Sequence, residues 1–354
     1  MRRIIILAGK LHAIGGIETH LFHLCCLLAG KGVDVSLVIT SRAFGEAPKR
    51  RLRSAGIQLW EYDCEVSAKG AVGYGQVLLR LAKLGTSSTV FYSNGTSGFV
   101  QLASRIVRSR LWVHHHHTDV TDALIRSFPA QYRQVLGRCD QLIACTPEHA
   151  QILDSFFCRR GETVFLPYCK DEPTGPRPLA FRAVRRPVVV GFFGRLRASK
   201  GVPVLLELSS WFHSNGFECR LHGDDCEHLL PSMLPQGVTW SGAYDAGTNM
   251  DQLMSEVDML VLPTTFPEGL PLVITEAISR GVPVVAYDGG GVRNLKSFHT
   301  GLMVIPPDKD RLKEAILTMR EKLKSPSLHE GLAETYQKKL GNKVTLDWWM
   351  GLLR

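Results

Sequence analysis

The chain reads as an α/β protein of two Rossmann-like domains facing each other across an interdomain cleft, and three observations predict this. A strand, a glycine-bearing loop, a helix and a second strand open the sequence; the same order restarts near residue 187; and an aperiodic stretch rich in Pro and charge lies between them. With 354 residues the chain is too long for one ordinary core and suits two. A hydrophobic content of 45% against 21% charged residues marks a globular chain rather than a disordered one.

The first run, "RIIILA" (3–8), has the continuous apolar character of a buried strand, and "GKLHAIGG" (9–16) is the loop after it. In "IETHLFHLCCLLAG" (17–30), Ile17, Leu21, Leu24 and Leu28 share one helical face. Gly30 and Gly32 end that helix, and "VDVSLVIT" (33–40) returns as a strand. A βαβ unit of this kind implies parallel strands and a right-handed crossover. The linker falls at 169–186, within "YCKDEPTGPRPLAFRAVRRP", and separates domain 1–168 from domain 187–330. The second domain begins with "PVVVGFFGRLRASKGVPVLLEL" and continues as the strand "FECRLHG", the helix "MDQLMSEV" and the strands "DMLVLPT" and "VPVVAYDG". Residues 331–354 form a helical tail ending in the amphipathic "LDWWMGLLR", expected to pack back on the first domain.

Several classes are excluded or disfavoured. No apolar run approaches the roughly 20 residues of a membrane span. "MRRIIILAGKLHAIGG" has too short an apolar core for a signal peptide and no cleavage site, so a cytoplasmic location is expected. The nine cysteines are odd in number and contain no Cys-x-x-Cys pair, as small buried side chains in a reducing compartment would be. The net charge of +9 gathers in "PKRRLRSAG", "RIVRSRLW", "FCRRG" and "FRAVRRP". Such clusters suit phosphate-rich partners, and of these an anionic membrane surface is expected. Nucleic acid is not, since no recognition motif or basic–aromatic stripe accompanies the charge.

The loop at 9–16 fits neither G-x-G-x-x-G nor a P-loop, yet Gly15 and Gly16 at a helix start let a ligand reach backbone N–H groups. In "GFFGRLRASKG" (191–201), Arg195 and Lys200 follow a strand end, where a forked and a point cation can neutralise a diphosphate. In "FPEGLPLVITEAISRG" (266–281), Glu268 precedes a helix, Pro271 suits its first turn and Gly281 its C-terminal cap. From Pro271 to Glu276 such a helix rises about 7 Å, the span from a phosphate at its N-terminus to the ribose of the same nucleotide. In "LWVHHHHTDVTD" (111–122), alternation puts His114 and His116 on one side of a strand and His115 and His117 on the other. Four adjacent histidines could also bind Zn²⁺ or Ni²⁺ adventitiously. His222, Asp224, Cys226 and His228 alternate in "LHGDDCEHLL" and read as structural or base-proximal.

Together, "GGIETHLFHL", "GRLRASKGVPVLLE", "LVLPTTFPEGLPLVITEAISRGVPVVAYDGGG" and "GLMVIPPD" resemble the retaining glycosyltransferases of family 4, which have the GT-B fold; the resemblance covers most of the chain, and its E-x7-E pair is that family's signature. It implies that Arg195 and Lys200 bind the diphosphate of a nucleotide-diphosphate sugar and Glu268 contacts the transferred sugar. Glu276 would bind the ribose, and Gly269, Leu270, Pro271, Leu272 and Val273 would line the phosphate and sugar. Gly15 and Gly16 would contact the donor from the N-terminal, acceptor-binding domain, and His117, or failing that His115, would reach the donor sugar. Glu268, His117, Arg195 and Lys200 are the implied catalytic set. Two departures stand out: Pro271 replaces a common glycine and removes an N–H donor, and "GGGVRNL" lacks a Pro-Glu pair. No metal cofactor is implied. The acceptor would be a saccharide or lipid-linked saccharide, met on the cytoplasmic face of the membrane. A nucleotide-sugar epimerase or hydrolase on the same fold, and a non-catalytic binder of nucleotide or nucleic acid, are the alternatives.

Overall fold

The computed structural model describes residues 2–8, 15–63, 68–95, 98–159, 161–173, 187–244, 249–296 and 298–354. Most of the first glycine loop (9–14) and of the linker (174–186) lies outside them. The chain divides into unit 1, Met1–Lys170 with Asn342–Arg354, and unit 2, Asp171–Gly341.

Unit 1 runs β1 (Arg3–Leu7), α1 (Gly16–Ala29), β2 (Asp34–Thr40), α2 (Glu46–Ser54), β3 (Gln58–Tyr62), α3 (Ala68–Leu84), β4 (Thr89–Asn94), α4 (Gly98–Ile106), β5 (Leu111–His115), α5 (Asp122–Ser127), α6 (Ala130–Arg138), β6 (Gln141–Ala144), α7 (Pro147–Phe157) and β7 (Val164–Phe165). Its strands pair in parallel in the order β3-β2-β1-β4-β5-β6-β7. The unbroken apolar run of β1 follows from this, because a parallel sheet is covered on both faces. Ile4 and Ile6 enter a core with Leu21, Leu24 and Leu28 of α1; Ile5 and Leu7 enter the opposite core with Leu81, Val100, Tyr132, Val135 and Leu153.

Unit 2 runs β8 (Val188–Phe193), α8 (Val202–Glu207), α9 (Ser209–Ser214), β9 (Phe217–His222), β10 (Val238–Trp240), α10 (Met250–Met254), β11 (Met259–Leu262), α11 (Leu272–Ser279), β12 (Val284–Tyr287), β13 (Leu302–Ile305), α12 (Lys309–Lys322) and α13 (Pro326–Lys339). Its sheet, also parallel, has the order β10-β9-β8-β11-β12-β13. The expected tail 331–354 is not one element. All of α13 stays with unit 2, burying Leu328, Leu332, Ala333 and Tyr336, while α14 (Asn342–Leu352) belongs to unit 1. There Leu346 and Trp349 complete the core beside α1, with Trp349 edge-on to Tyr92 at 5.0 Å.

Both sheets change direction beside their first strand, between β1 and β4 and between β8 and β11, and ligands of such sheets bind at the strands' carboxyl ends near that switch. The switch point in unit 2 carries the loops 194–200 and 263–268; that in unit 1 carries Asn94, with His115 to His117 on the neighbouring strand end.

Not all of the clustered basic charge is at the surface. Lys49 is 4% exposed, with Nζ 2.7 Å from Glu61 Oε2 and 3.0 Å from the Ser41 carbonyl. Arg53 pairs with the same glutamate at 2.6 Å, and the Arg159 guanidinium donates to the carbonyls of Leu136 and Cys139. Lys49 and Arg159 are occupied inside the fold, and Arg53 at the surface beside Lys49, because buried carbonyls and a half-buried carboxylate need partners.

Candidate active site

In unit 2 two loops are laced together at the ends of β8 and β11. The turn Ala198–Lys200 offers the Ser199 carbonyl to the N–H groups of Thr265 and Phe266, at 2.9 and 3.1 Å. Gly201 makes this approach possible: φ is +86°, and a Cβ there would lie 2.2 Å from the Pro263 carbonyl oxygen. The lacing brings Lys200 Nζ onto Glu268 Oε1, across 68 residues of sequence, with the Phe266 ring 4.9 Å from the ammonium. Burial, then Arg195 and Arg197, draws the Lys200 ammonium down to about 8, while the touching carboxylate favours the charged form. Arg195, half-buried at the end of β8, makes no ion pair among the described residues. Among the described residues it is a cation without a counter-ion beside one that already has it.

Glu268 is also held from behind. Gly291 N–H donates to its carbonyl at 2.9 Å, and Gly290 (φ +52°) passes so close that a Cβ would sit 2.2 Å from that oxygen. "GGGVRNL" departs from the family pattern, yet its glycines pack against Glu268; the run of three glycines was the available signal.

Pro271 stands at the N-cap of α11 rather than in its first turn, and Leu272 is the first helical residue. The N–H groups of Leu272 and Val273 lie at the start of α11, where no intrahelical acceptor exists, so they are oriented outward with the positive helix end. Glu276, 6% exposed, lies two residues beyond Ile274 on the same helix and beside Tyr244, whose hydroxyl is pushed up by burial and by that carboxylate. Arg280 ends α11. Its fully buried guanidinium binds Asp251 at 2.7 Å and Asp171 at 3.1 Å and reaches back to the Glu276 carbonyl at 3.4 Å. Sequence reasoning missed this arginine, for nothing in "ISRGVP" distinguishes it from a surface residue. Asp224 and Asp225 cap neighbouring turns: the Asp224 carbonyl accepts from Leu196 N–H, and the Asp225 carboxylate from Leu229 and Leu230. His222 stacks on Phe193 at 4.3 Å.

In unit 1, Gly15 is the extended N-cap of α1 and Gly16 its first residue. The Glu18 carboxylate folds over this turn, so near that a Cβ on Gly15 would meet Oε2 at 2.3 Å. A negative charge therefore already faces the first turn of α1, as helix N-termini favour. The histidine run alternates as β5 requires. His114 and His116 face Tyr132, and His115 and His117 face Tyr92 and Tyr168. His117 alone of the four is not fully buried. Its Nε2 bonds to Asn94 Oδ1 and its Nδ1 to the Tyr168 hydroxyl at 2.8 Å. Burial holds His115 and His117 well below the ordinary imidazole range, so both rings are neutral near pH 7. Cys145 Sγ follows β6 and lies 3.2 Å from the Tyr168 hydroxyl.

Residues 15–169 match a family model described as a glycosyl transferase 4-like domain, and residues 187–322 one described as glycosyl transferases group 1. The α-D-kanosaminyltransferase of Streptomyces kanamyceticus is 31% identical over 157 residues, covering 42% of this chain and 39% of that protein. The putative teichuronic acid biosynthesis glycosyltransferase TuaC of Bacillus subtilis is 38% identical over 81 residues, 23% of this chain and 21% of its own. A GDP-mannose-dependent alpha-mannosyltransferase of Mycolicibacterium smegmatis is 26% identical over 253 residues, 68% and 59% of the two chains. The chain thus spans less than two thirds of the length of each of these relatives. Among solved structures, Anabaena HepE in complex with UDP-glucose superposes with a TM-score of 0.74 at 19% identity, over 99% of this chain and 98% of that one. Sucrose-phosphate synthase from Thermosynechococcus elongatus gives 0.73 at 18%, over 99% and 98%. At these identities the likeness is one of fold. The two parallel-sheet units are the Rossmann-like domains of a GT-B fold, and the chain belongs to the group 1, family-4-like glycosyltransferases.

Proposed function

We propose that this protein is a retaining hexosyltransferase, moving a hexose from a nucleotide-diphosphate sugar to a hydroxyl of a saccharide or lipid-linked saccharide in envelope polysaccharide or glycoconjugate synthesis. The observation that carries the reading is the Lys200–Glu268 pair beside Arg195, which has no counter-ion among the described residues, at the switch point of unit 2 and just before α11. A diphosphate arriving there takes Lys200 as a partner and frees the Glu268 carboxylate to accept from sugar hydroxyls. Cleavage of the glycosidic bond builds charge on the leaving phosphate, and Arg195, Lys200 and the first turn of α11 stabilise that charge more as it grows. The leaving phosphate oxygen takes the acceptor's proton on the same face, which retains configuration and needs no base from the protein. Glu276 holds the ribose, and Glu268 and His117 orient the hexose. Cations and helix N–H groups supply the neutralisation that a divalent metal provides elsewhere. Support for the donor class comes from HepE, solved with UDP-glucose, and for the product class from a teichuronic acid relative.

A thermal-shift comparison of wild type and Glu276→Ala against UDP, GDP, ADP, TDP and CMP tests the reading. A ligand at a hundred times its dissociation constant stabilises by about 2.7 kcal/mol. One diphosphate is expected to stabilise wild type, with the shift lost in the variant. Equal shifts in both proteins would remove Glu276 from the donor site.

The acceptor side of the proposal includes an anionic membrane surface. Val72 and Leu79 on α3 are 60% and 67% exposed, and Leu102 on α4 is 46% exposed. Val72, Gln76, Leu79 and Lys83 form one exposed helical stripe, and Arg80 flanks it, stacked on Trp60 at 3.4 Å. Each cation near such a surface contributes on the order of 1 kcal/mol. Vesicles containing phosphatidylglycerol should sediment the wild-type protein but not Leu79→Asp, and neutral vesicles should sediment neither. Sedimentation indifferent to lipid charge refutes this part. Among the described residues no helix is long and apolar enough to cross a membrane.

A further inference from the structure

The histidine face of β5 turned toward Tyr92 and Tyr168 contains more than an orienting imidazole. One ring nitrogen each of His115 and His117 and the Sγ of Cys145 all lie within 4.8 Å of one another. His115 Nε2, on a side chain 1% exposed, has no hydrogen-bond partner among the described residues, whereas its Nδ1 is 2.9 Å from the Tyr92 hydroxyl. An orphaned buried imidazole nitrogen is costly unless something binds it. With the proton on Nδ1 and donated to Tyr92, the unsatisfied group is the Nε2 lone pair. His117 is arranged alike: Nε2–H donates to Asn94 Oδ1, which leaves the Nδ1 lone pair toward Tyr168. In each histidine one nitrogen is anchored by an outer partner, the arrangement that fixes metal-ligating imidazoles; the second nitrogen of His115 is unpartnered among the described residues, and that of His117 accepts from the Tyr168 hydroxyl and must exchange that bond for the ion. Tyr92 is itself held by His20, whose Nδ1 accepts from Cys169 N–H at 2.9 Å and whose Nε2 lies 3.4 Å from the tyrosine oxygen.

We propose that His115, His117 and Cys145 form a Zn²⁺ site whose occupation switches transfer off by withdrawing His117 from the donor sugar. The second half of this rests on the role given to His117 under the proposed function. Two imidazoles and a thiolate suit a borderline-soft d¹⁰ ion and disfavour Mg²⁺ or Ca²⁺, which take oxygen ligands. Bonds of about 2.0–2.3 Å would bring the ligand atoms to about 3.5 Å apart, so the rings must close in by roughly 1 Å around the ion. Binding forms one Zn–S and two Zn–N bonds and expels the Cys145 thiol proton to solvent; no electron changes hands. The ion replaces existing hydrogen bonds: the Tyr168 hydroxyl, 2.8 Å from His117 Nδ1 and 3.2 Å from Cys145 Sγ, turns aside, and the Cys145 thiol gives up its bond to the His116 carbonyl at 3.1 Å.

The full chain, chelator-treated and carrying Cys158→Ser and Cys226→Ser to silence the two thiols exposed among the described residues, and Cys64→Ser, is titrated with Co²⁺ as a spectroscopic substitute and with Zn²⁺ in competition. One equivalent of Co²⁺ is expected to produce a near-ultraviolet thiolate charge-transfer band. Zn²⁺ should abolish that band. Cys145→Ala should remove it, and His115→Gln should weaken Zn²⁺ binding at least about tenfold; far-ultraviolet circular dichroism establishes that both variants are folded. Weakening of about 10–100-fold is expected for Asn94→Ala, which removes only an outer partner. Absence of the band in the wild-type background, or its persistence in Cys145→Ala, overturns the site whatever the turnover shows. In parallel, the chelator-treated enzyme should transfer at its full rate and lose at least about tenfold on saturation with Zn²⁺. A charge-transfer band with undiminished transfer overturns the switch and the His117 assignment while leaving the Glu276 nucleotide test untouched.

Discussion

Converting Arg195 and Lys200 together to alanine is expected to lower the transfer rate by about 10⁴-fold, with each single change costing about 10²–10³. The two cations are not equivalent. Arg195 has no counter-ion among the described residues, so its whole charge is available to the leaving phosphate. Lys200 begins in contact with Glu268, and part of its attraction for the donor goes into separating that pair. Arg195→Ala should therefore weaken donor binding more, and Lys200→Ala should also release Glu268, 15% exposed, from its partner. The lysine gives the wild type a distinctive pH limb. Its ammonium, drawn to about 8, is charged below that value and loses its proton as pH rises through it, so donor affinity should fall on the alkaline side. Lys200→Ala should lack that limb. Steady-state rates for the single and double variants between about pH 6 and pH 10, about two units either side of the group, check both points. Undiminished turnover in the double variant would end the assignment.

Arg280→Ala is expected to destabilise unit 2 by about 3 kcal/mol. The guanidinium is wholly buried and donates to Asp251, Asp171, Ser279 Oγ and the Glu276 carbonyl. Removing one member of a buried pair typically costs 3–5 kcal/mol. The lower end applies because the Asp251 and Asp171 side chains are 23% and 41% exposed and can regain water. Arg280→Met restores much of the volume without the charge, and should recover the packing part of the loss only. Denaturant unfolding followed by tryptophan fluorescence reads the difference, and an unchanged midpoint in Arg280→Ala would contradict the network's role.

The elements that could be read from residues are those whose pattern is local. β1, α1 and β2 follow from an apolar run, a 3.6-residue period and glycines that end it. The alternation along the four histidines is equally local, and the structure separates them by face as a strand must. What could not be read depends on partners distant in sequence. Lys49 and Arg159 look like surface cations in their own neighbourhoods, and only the folded chain brings Glu61 and the carbonyls of Leu136 and Cys139 to them. Gly290 shows its purpose only when the Glu268 backbone passes within contact of it. Cys145 was one of nine unremarkable thiols until β5 and β6 paired and set it beside His117.

The return of α14 to unit 1 has a consequence for biosynthesis. A ribosome completes every element of unit 2 before it makes the helix that finishes the core of unit 1. Until Trp349 arrives, the apolar face around Tyr92, Leu21 and Leu24 stays open, although those residues were made more than 240 residues earlier. The first domain to emerge is thus the last able to close, and its nascent form exposes sticky surface throughout synthesis of the second. The closing step is marked by a clasp: Asn342 accepts from Lys170 N–H at 3.0 Å and donates to the Lys170 carbonyl at 2.7 Å, joining the point where the chain leaves unit 1 to the point where it comes back. Unit 2 is, in its topology, an insertion into unit 1, and fragments cut at Lys170 would lack a wall of their own core.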